Sequence, residues 1–259
     1  MSSRLNEKLR SHCLILLFIS ILFICAIFMA ADYVSVTYDT NRTPKTGYPD
    51  HLANYLSDRY KLLKGSKLCD IACGRGDFLR AFEKLGFDCS AVDLANSSIE
   101  MNKDFNVKQA NISKEPLPFN DNSFDIVFSK SIMEHIENYD LITNEYMRIL
   151  KPGGILIMLI PDWSSQMPFY FEDFTHVKPY TKDSVMDLLN IYGFESVESE
   201  LFYQHEKLWD KSGMFHLASI LLRLFLNASQ GRWLTKKTGI KLFRWSVEAM
   251  VLGTGKKPL

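Results

Sequence analysis

Lys67-Leu68-Cys69-Asp70-Ile71-Ala72-Cys73-Gly74-Arg75-Gly76-Asp77-Phe78-Leu79-Arg80 is the stretch whose reading decides the fold. Its first part, Leu68 to Ala72, is short and mostly apolar, as a strand covered on both faces of a parallel sheet must be. Gly74 and Gly76 let the backbone bend sharply and approach a ligand with no Cβ in the way. From Asp77 the spacing of Phe78, Leu79, Phe82 and Leu85 predicts a helix with one apolar face, stopped at Gly86. Strand, glycine turn and helix form the unit with which doubly wound α/β folds build a nucleotide site.

The dinucleotide fingerprint G-x-G-x-x-G fails here, because Leu79 stands where the third glycine belongs. A carboxylate at the end of the first strand, Asp70, suits a ligand with an α-amino group and a sulfonium better than it suits a diphosphate. The remaining pattern, Asp70-x-Ala72-x-Gly74-x-Gly76, resembles the first motif of the class I S-adenosylmethionine (SAM) dependent methyltransferases, with Ala72 in place of the first glycine. A plain structural glycine turn is the alternative.

Downstream, Cys89 to Leu94 predicts a second strand ending in Asp93, seventeen residues beyond Gly76. That is near the distance at which such folds present a carboxylate to ribose hydroxyls; capping of a helix that begins near Ser97 is the competing role for Asp93. Val107 to Ile112, Phe124 to Ser129 and Ile155 to Ile160 predict three further strands, the last preceded by Leu150-Lys151-Pro152-Gly153-Gly154. Strands alternating with helices imply a parallel sheet. From Gly65 to Leu201 this ordered set resembles the type 11 branch of the methyltransferases. The resemblance implies SAM as cofactor, bordered by Asp70, Ala72, Cys73, Gly74, Gly76, Asp93, Leu94, Asn111, Ile112 and Ser129, with Asp93 on the ribose and Asn111 and Ile112 at the adenine. It also implies that His135 lies near the reacting groups, a structural hydrogen bond at a helix end being its competing role. His176, within Phe171 to Thr181, is expected to border the acceptor as a general base, with Asp173 and Tyr180 as alternative acceptor contacts. No metal site is expected, since the five cysteines show no paired spacing with metal-ligand partners.

Lys182 to Ile191 predicts a helix ended by Gly193, Phe194 to Phe202 a sixth strand, and Val247 to Thr254 a last one. The expected fold class is α/β: a doubly wound, seven-stranded, mostly parallel sheet whose last strand is antiparallel, with a helical insertion at 204–245. Within Met214 to Asn227, the residues His216, Ser219, Arg223 and Asn227 make a narrow polar stripe on an otherwise apolar helix. From Gln204 onward ten Lys/Arg stand against three Asp/Glu, so this part carries +7 and, at zero net charge, the remainder −7. Apolar helix, cations and the interleaved Trp233, Phe243 and Trp245 suit an anionic lipid surface; a lid packed on the sheet with a solvated basic tail is the alternative. A net charge of zero excludes bulk attraction to nucleic acid.

Cys13 to Ala31 are nineteen consecutive positions without a charge. A bilayer-crossing helix takes ~20 residues and a signal-peptide core only ~7–15, so a retained anchor is expected. Arg4, Lys8 and Arg10 precede the run, which by the positive-inside rule keeps the N-terminus cytoplasmic and sends the remainder across. The cytosolic origin of SAM favours the opposite, a cytosolic catalytic domain. The expected organisation is a single-pass anchor at 1–31, a connector and cap helix at 32–64 and a methyltransferase domain at 65–259. The expected activity is methyl transfer to a small or lipid-linked acceptor at a membrane: a polyprenyl-linked glycan, a quinone or a lipid headgroup. The rivals are a membrane-tethered SAM-binding protein without turnover and an NAD or nucleotide-sugar enzyme.

Overall fold

The structure is a computed structural model that describes residues 33–37, 40, 43–209 and 213–259. The apolar run at 13–31, expected to be a membrane anchor, lies outside them. Among the described residues no helix is long and apolar enough to cross a membrane.

Seven strands, β1 (Lys67–Ile71), β2 (Asp88–Asp93), β3 (Asn106–Gln109), β4 (Phe124–Lys130), β5 (Leu150–Pro161), β6 (Glu195–Tyr203) and β7 (Ala249–Lys256), form one sheet in the order β3-β2-β1-β4-β5-β7-β6. β1 to β5 pair in parallel, and β7 runs antiparallel to both β5 and β6, as expected. The chain moves outward from β1 to β3 and then crosses back to β4 on the other side of β1. That reversal opens a crevice beyond the carboxyl ends of the strands, where open α/β sheets bind ligands.

The helices are α1 (Tyr33–Thr37), α2 (Tyr48–Tyr60), α3 (Asp77–Lys84), α4 (Asn96–Met101), α5 (Tyr139–Ile149), α6 (Trp163–Gln166), α7 (Lys182–Ile191), α8 (Gly213–Phe225), α9 (Ala228–Thr238) and α10 (Leu242–Trp245). They cover both sheet faces because successive strand residues point to opposite sides. Val127 packs in one core with Ile142, Tyr146 and Ile149 of α5 and Val185 and Leu189 of α7. Its neighbours Ile126 and Phe128 pack in the other, with Leu52 and Leu56 of α2 and Phe82 of α3. Double coverage is why the central strands are apolar runs.

Several boundaries differ from expectation for identifiable reasons. β3 stops at Gln109, because Asn111 starts a turn in which its Oδ1 accepts from Ser113 N–H (3.2 Å) and its carbonyl from Lys114 N–H (2.9 Å). β5 begins at Leu150 rather than Ile155, with Gly153 at φ 75° absorbing a register shift against β4. β7 is displaced two residues toward the C-terminus, at Ala249–Lys256 instead of Val247 to Thr254. α8 ends at Phe225 because Asn227 caps the next helix, its Oδ1 accepting from Gln230 N–H (3.0 Å). The connector also contains a short helix, α1, that the sequence reading leaves irregular.

Candidate functional site

The carboxyl ends of β1 to β4 surround a cleft of about 820 Å³, within the ~300–1,000 Å³ usual for small-molecule sites. Its floor is the turn between β1 and α3. Ala72, Gly74 and Gly76 all have positive φ, at 60°, 52° and 71°. Left-handed backbone disfavours a Cβ, which explains physically why a glycine belongs where Ala72 stands. At Gly74 an added Cβ would meet nothing within 4 Å, so the backbone there faces open cleft.

Asp93, at the end of β2, closes this turn. Its Oδ2 accepts from Gly74 N–H (2.8 Å) and its Oδ1 from Ala95 N–H (2.9 Å). Each carboxylate oxygen retains lone pairs for a ligand hydroxyl. Behind the turn, Ser98 Oγ and Asn102 Nδ2 donate to the Gly74 carbonyl (2.6 and 2.9 Å), and Arg80 Nη1 donates to the Arg75 carbonyl (2.9 Å) and to Asn102 Oδ1 (2.7 Å). Ser98 and Asn102 are fully buried. This brace carries no motif in the sequence, since its members gather only when α3 and α4 converge on the turn.

Of the expected cofactor residues, Ala72, Cys73, Gly74, Asp93, Leu94, Asn111 and Ile112 line the cleft, while Asp70, Gly76 and Ser129 do not. Asp70 is buried below the floor; burial and then Asp93 push its carboxyl well above the usual range, against the pull of Lys130. Gly76 acts from behind as the first residue of the α3 cap. Ser129 turns into the core and shares a hydrogen bond with Tyr146 Oη (2.9 Å). β4 runs one residue further than expected, so Lys130 and Ser131 reach the cleft in its place. Phe78, Asn96 and Ser97 also line it, with no signal in the sequence beyond their closeness to strand ends, and Tyr33 of α1 reaches it with no signal at all. Tyr48 and Tyr55 of α2 pack against Trp209.

At the far end His135 lines the cleft and His176 does not. The two rings lie 4.8 Å apart, and His176 Nδ1 is 2.6 Å from the Tyr170 carbonyl. Expectation is therefore corrected: the loop before α7 folds so that His176 stands behind His135. Thr175 Oγ1 lies 2.9 Å from His135 Nδ1 and donates to Asp173 Oδ1 (2.5 Å), while Tyr33 Oη donates to Asp173 Oδ2 (2.9 Å). Burial acts to raise the Asp173 carboxyl, but the bonds from Thr175 and Tyr33 and the nearby His135 outweigh it and hold it below the usual range. Burial and the neighbouring His176 depress His135, which is therefore neutral at physiological pH. Glu134, 1% exposed, is pushed up to about 8 by burial.

A seven-stranded sheet with β7 reversed, a glycine turn after β1 and a carboxylate after β2 define the class I methyltransferase architecture. A family model for the methyltransferase domain matches residues 69–158. The demethylmenaquinone methyltransferase of Staphylococcus aureus is 30% identical over 123 residues, 42% of this chain and 51% of that protein. The chain thus spans about half the length of the curated relatives it matches. A SAM dependent methyltransferase from Archaeoglobus fulgidus superposes with a TM-score of 0.61 at 20% identity, over 87% of this chain and 100% of that one. Haemonchus contortus phosphoethanolamine N-methyltransferase 2, in complex with phosphomonomethylethanolamine and S-adenosylhomocysteine, superposes with a TM-score of 0.55 at 22% identity, over 82% of this chain and 54% of that one. Residues 69–158 thus match a methyltransferase domain, and the described residues adopt the class I methyltransferase fold. The cleft fits SAM: open space at Gly74, a carboxylate with spare acceptor capacity at Asp93, and the half-open apolar side chain of Leu94 across from Ile112 and Asn111.

Proposed function

We propose that this protein transfers a methyl group from SAM to a small or lipid-linked acceptor at a membrane, such as a polyprenyl-linked glycan, a quinone or a lipid headgroup, and that residues 13–31 anchor it there. The observation that carries methyl transfer is the braced glycine turn closed by Asp93, with His135 at the opposite end of one continuous cleft. SAM supplies a methyl group on a cationic sulfur. The chain's part is to hold donor and acceptor in line, which is worth effective molarities of roughly 10⁵–10⁸ M in well-oriented reactions. A neutral imidazole at His135 is in the right protonation state to take a proton from an acceptor hydroxyl. The S. aureus relative, a demethylmenaquinone methyltransferase by name, supports a quinone among the candidates.

Support for the membrane comes from α8, which is turned inside out. Its polar stripe faces the protein: Ser219 is fully buried and the Arg223 guanidinium lies 4.1 Å from the centre of the Tyr203 ring. Met214, Leu217, Leu221 and Leu224, spaced three and four apart, are exposed together, with Trp233 of α9 exposed as well. Apolar outward and polar inward reverses the pattern of a helix in water and suits acyl chains, with the exposed Lys236, Lys237 and Lys241 available to anionic headgroups. Leu217→Asp, Leu221→Asp and Leu224→Asp combined are expected to release a chain beginning at Tyr33 from anionic vesicles in a flotation assay. Retained binding would place the membrane contact elsewhere.

Native membranes containing the protein, incubated with methyl-labelled SAM and then solvent-extracted, are expected to carry label in the lipid phase, and none with a Gly76→Val protein. Label in the aqueous or protein phase would keep the enzyme and remove the lipid acceptor. Absence of label with SAM still bound would favour a SAM-binding protein without turnover.

A further inference from the structure

Glu134, His135 and His176 come together from two separate segments. Glu134 and His135 lie on a one-turn 3-10 helix (Met133–His135) just after β4, and His176 on the loop before α7. The second segment is pinned onto the first, because Val177 and Lys178 N–H both donate to the Glu134 carbonyl (2.8 and 3.2 Å). One nitrogen of each imidazole and one Glu134 oxygen all fall within 4.8 Å of one another. We propose that these three side chains bind one divalent transition-metal ion, of the zinc, iron(II) or manganese(II) type, at the acceptor end of the cleft.

Two independent features point to a ligand rather than to a chance cluster. The first is the tautomers, assigned from the hydrogen-bond network. A carbonyl can only accept, so His176 carries its proton on Nδ1, facing Tyr170 O. Thr175 spends its hydroxyl proton on Asp173 and so accepts from His135, which therefore also carries its proton on Nδ1. Both histidines are left with a bare lone pair on Nε2. Metal-binding histidines are held in this way, the second ring nitrogen donating to a carbonyl or to a carboxylate-linked partner. The second feature is Glu134 Oε2, buried and without a hydrogen-bond partner among the described residues. Glu134 Oε1 is 3.9 Å from His135 Nε2, too long for a hydrogen bond, so the imidazole does not satisfy the carboxyl. A buried carboxyl oxygen left unpaired is unfavourable, and a cation shared by the Glu134 carboxylate and the two imidazoles would offset that cost.

Two nitrogens and one carboxylate select a transition metal over magnesium or calcium, which prefer all-oxygen shells. Three protein ligands leave coordination positions open, and His135 lies on the cleft wall. An acceptor bearing a hydroxyl or phenolic oxygen suits those positions, and with its Nε2 given to the ion His135 no longer serves as the base described above; this last step rests on the methyl-transfer reading, whereas metal binding itself does not.

The test is titration of Zn²⁺ into the chelator-treated full-length protein in detergent, by calorimetry, with SAM titrated separately into the same samples. One Zn²⁺ per chain is expected, with affinity falling by about 100-fold or more in Glu134→Gln and in His176→Gln, while SAM affinity, read at the other end of the cleft, stays within about two-fold. Retained SAM binding certifies the fold of each variant. Co²⁺ in place of Zn²⁺ is expected to give visible ligand-field bands that disappear in His176→Gln. No stoichiometric Zn²⁺ binding, or binding unaltered in both variants and hence made elsewhere, overturns the proposal. Zn²⁺ bound at this site with no methyl transfer to any acceptor would instead overturn the function proposed above and leave the metal site standing.

Discussion

Gly76→Val is expected to abolish measurable SAM binding, as read by calorimetry, while leaving a folded protein with a lowered melting temperature. Two effects combine at this position. Gly76 has φ 71°, a region in which a β-branched residue is strained by about 1–3 kcal/mol. Its new Cβ would also overlap the Asn102 side-chain oxygen and the Arg80 guanidinium. Asn102 is the residue whose amide holds the Gly74 carbonyl and the Ser98 carbonyl (2.9 and 2.8 Å), so it cannot move aside without releasing the turn. Gly193→Ala separates the two effects. Gly193 has φ 80° with nothing within 4 Å of an added Cβ, so it bears the backbone strain alone. It is expected to lose about 1 kcal/mol of stability and no SAM affinity. Wild-type SAM affinity in Gly76→Val would mean that the brace does not shape the cofactor site.

Asp93→Ala is expected to weaken SAM binding by about 10- to 100-fold, the equivalent of about 1–3 kcal/mol for charge-assisted hydrogen bonds lost. The carboxylate does two things at once: it ties Gly74 and Ala95 through their amides, and it keeps lone pairs toward the cleft. Asp93→Asn gives no rescue, because one of its two amide-facing oxygens becomes an NH₂ set against a backbone N–H. Both variants are read by SAM calorimetry with circular dichroism as the check on folding. Unchanged affinity in a folded Asp93→Ala protein would remove this residue from the ribose.

Part of the cleft wall was legible because a parallel sheet places ligand sites at strand ends, and strand ends show in the sequence as apolar runs that stop. Gly74 and Asp93 stand at such ends, the family resemblance adds Leu94, Asn111 and Ile112, and all five line the cleft. Ser129 failed by a single residue, and with a period of two one residue is a whole face: it lies against Tyr146 while Lys130 lines the cleft. Asp70 failed for a related reason, lying within β1 rather than at its end. The brace of Ser98, Asn102 and Arg80 and the cluster of Glu134, His135 and His176 were invisible, since each joins segments that only tertiary structure brings together. The periodicity of α8 was plain, but amphipathicity does not say which face is turned inward; that follows from Tyr203 and its neighbours, which receive Arg223.

Tyr33, on α1 at the mouth of the cleft, ends a hydrogen-bonded chain that runs through Asp173 and Thr175 to His135. Because the four groups share their protons, the position of α1 and the affinity of His135 for a proton or a cation are thermodynamically linked, and linkage is reciprocal. Whatever engages His135 biases α1 toward its place over the cleft, and whatever draws α1 there tunes His135. A ligand touching Tyr33 and one touching His135 would therefore be coupled through three hydrogen bonds.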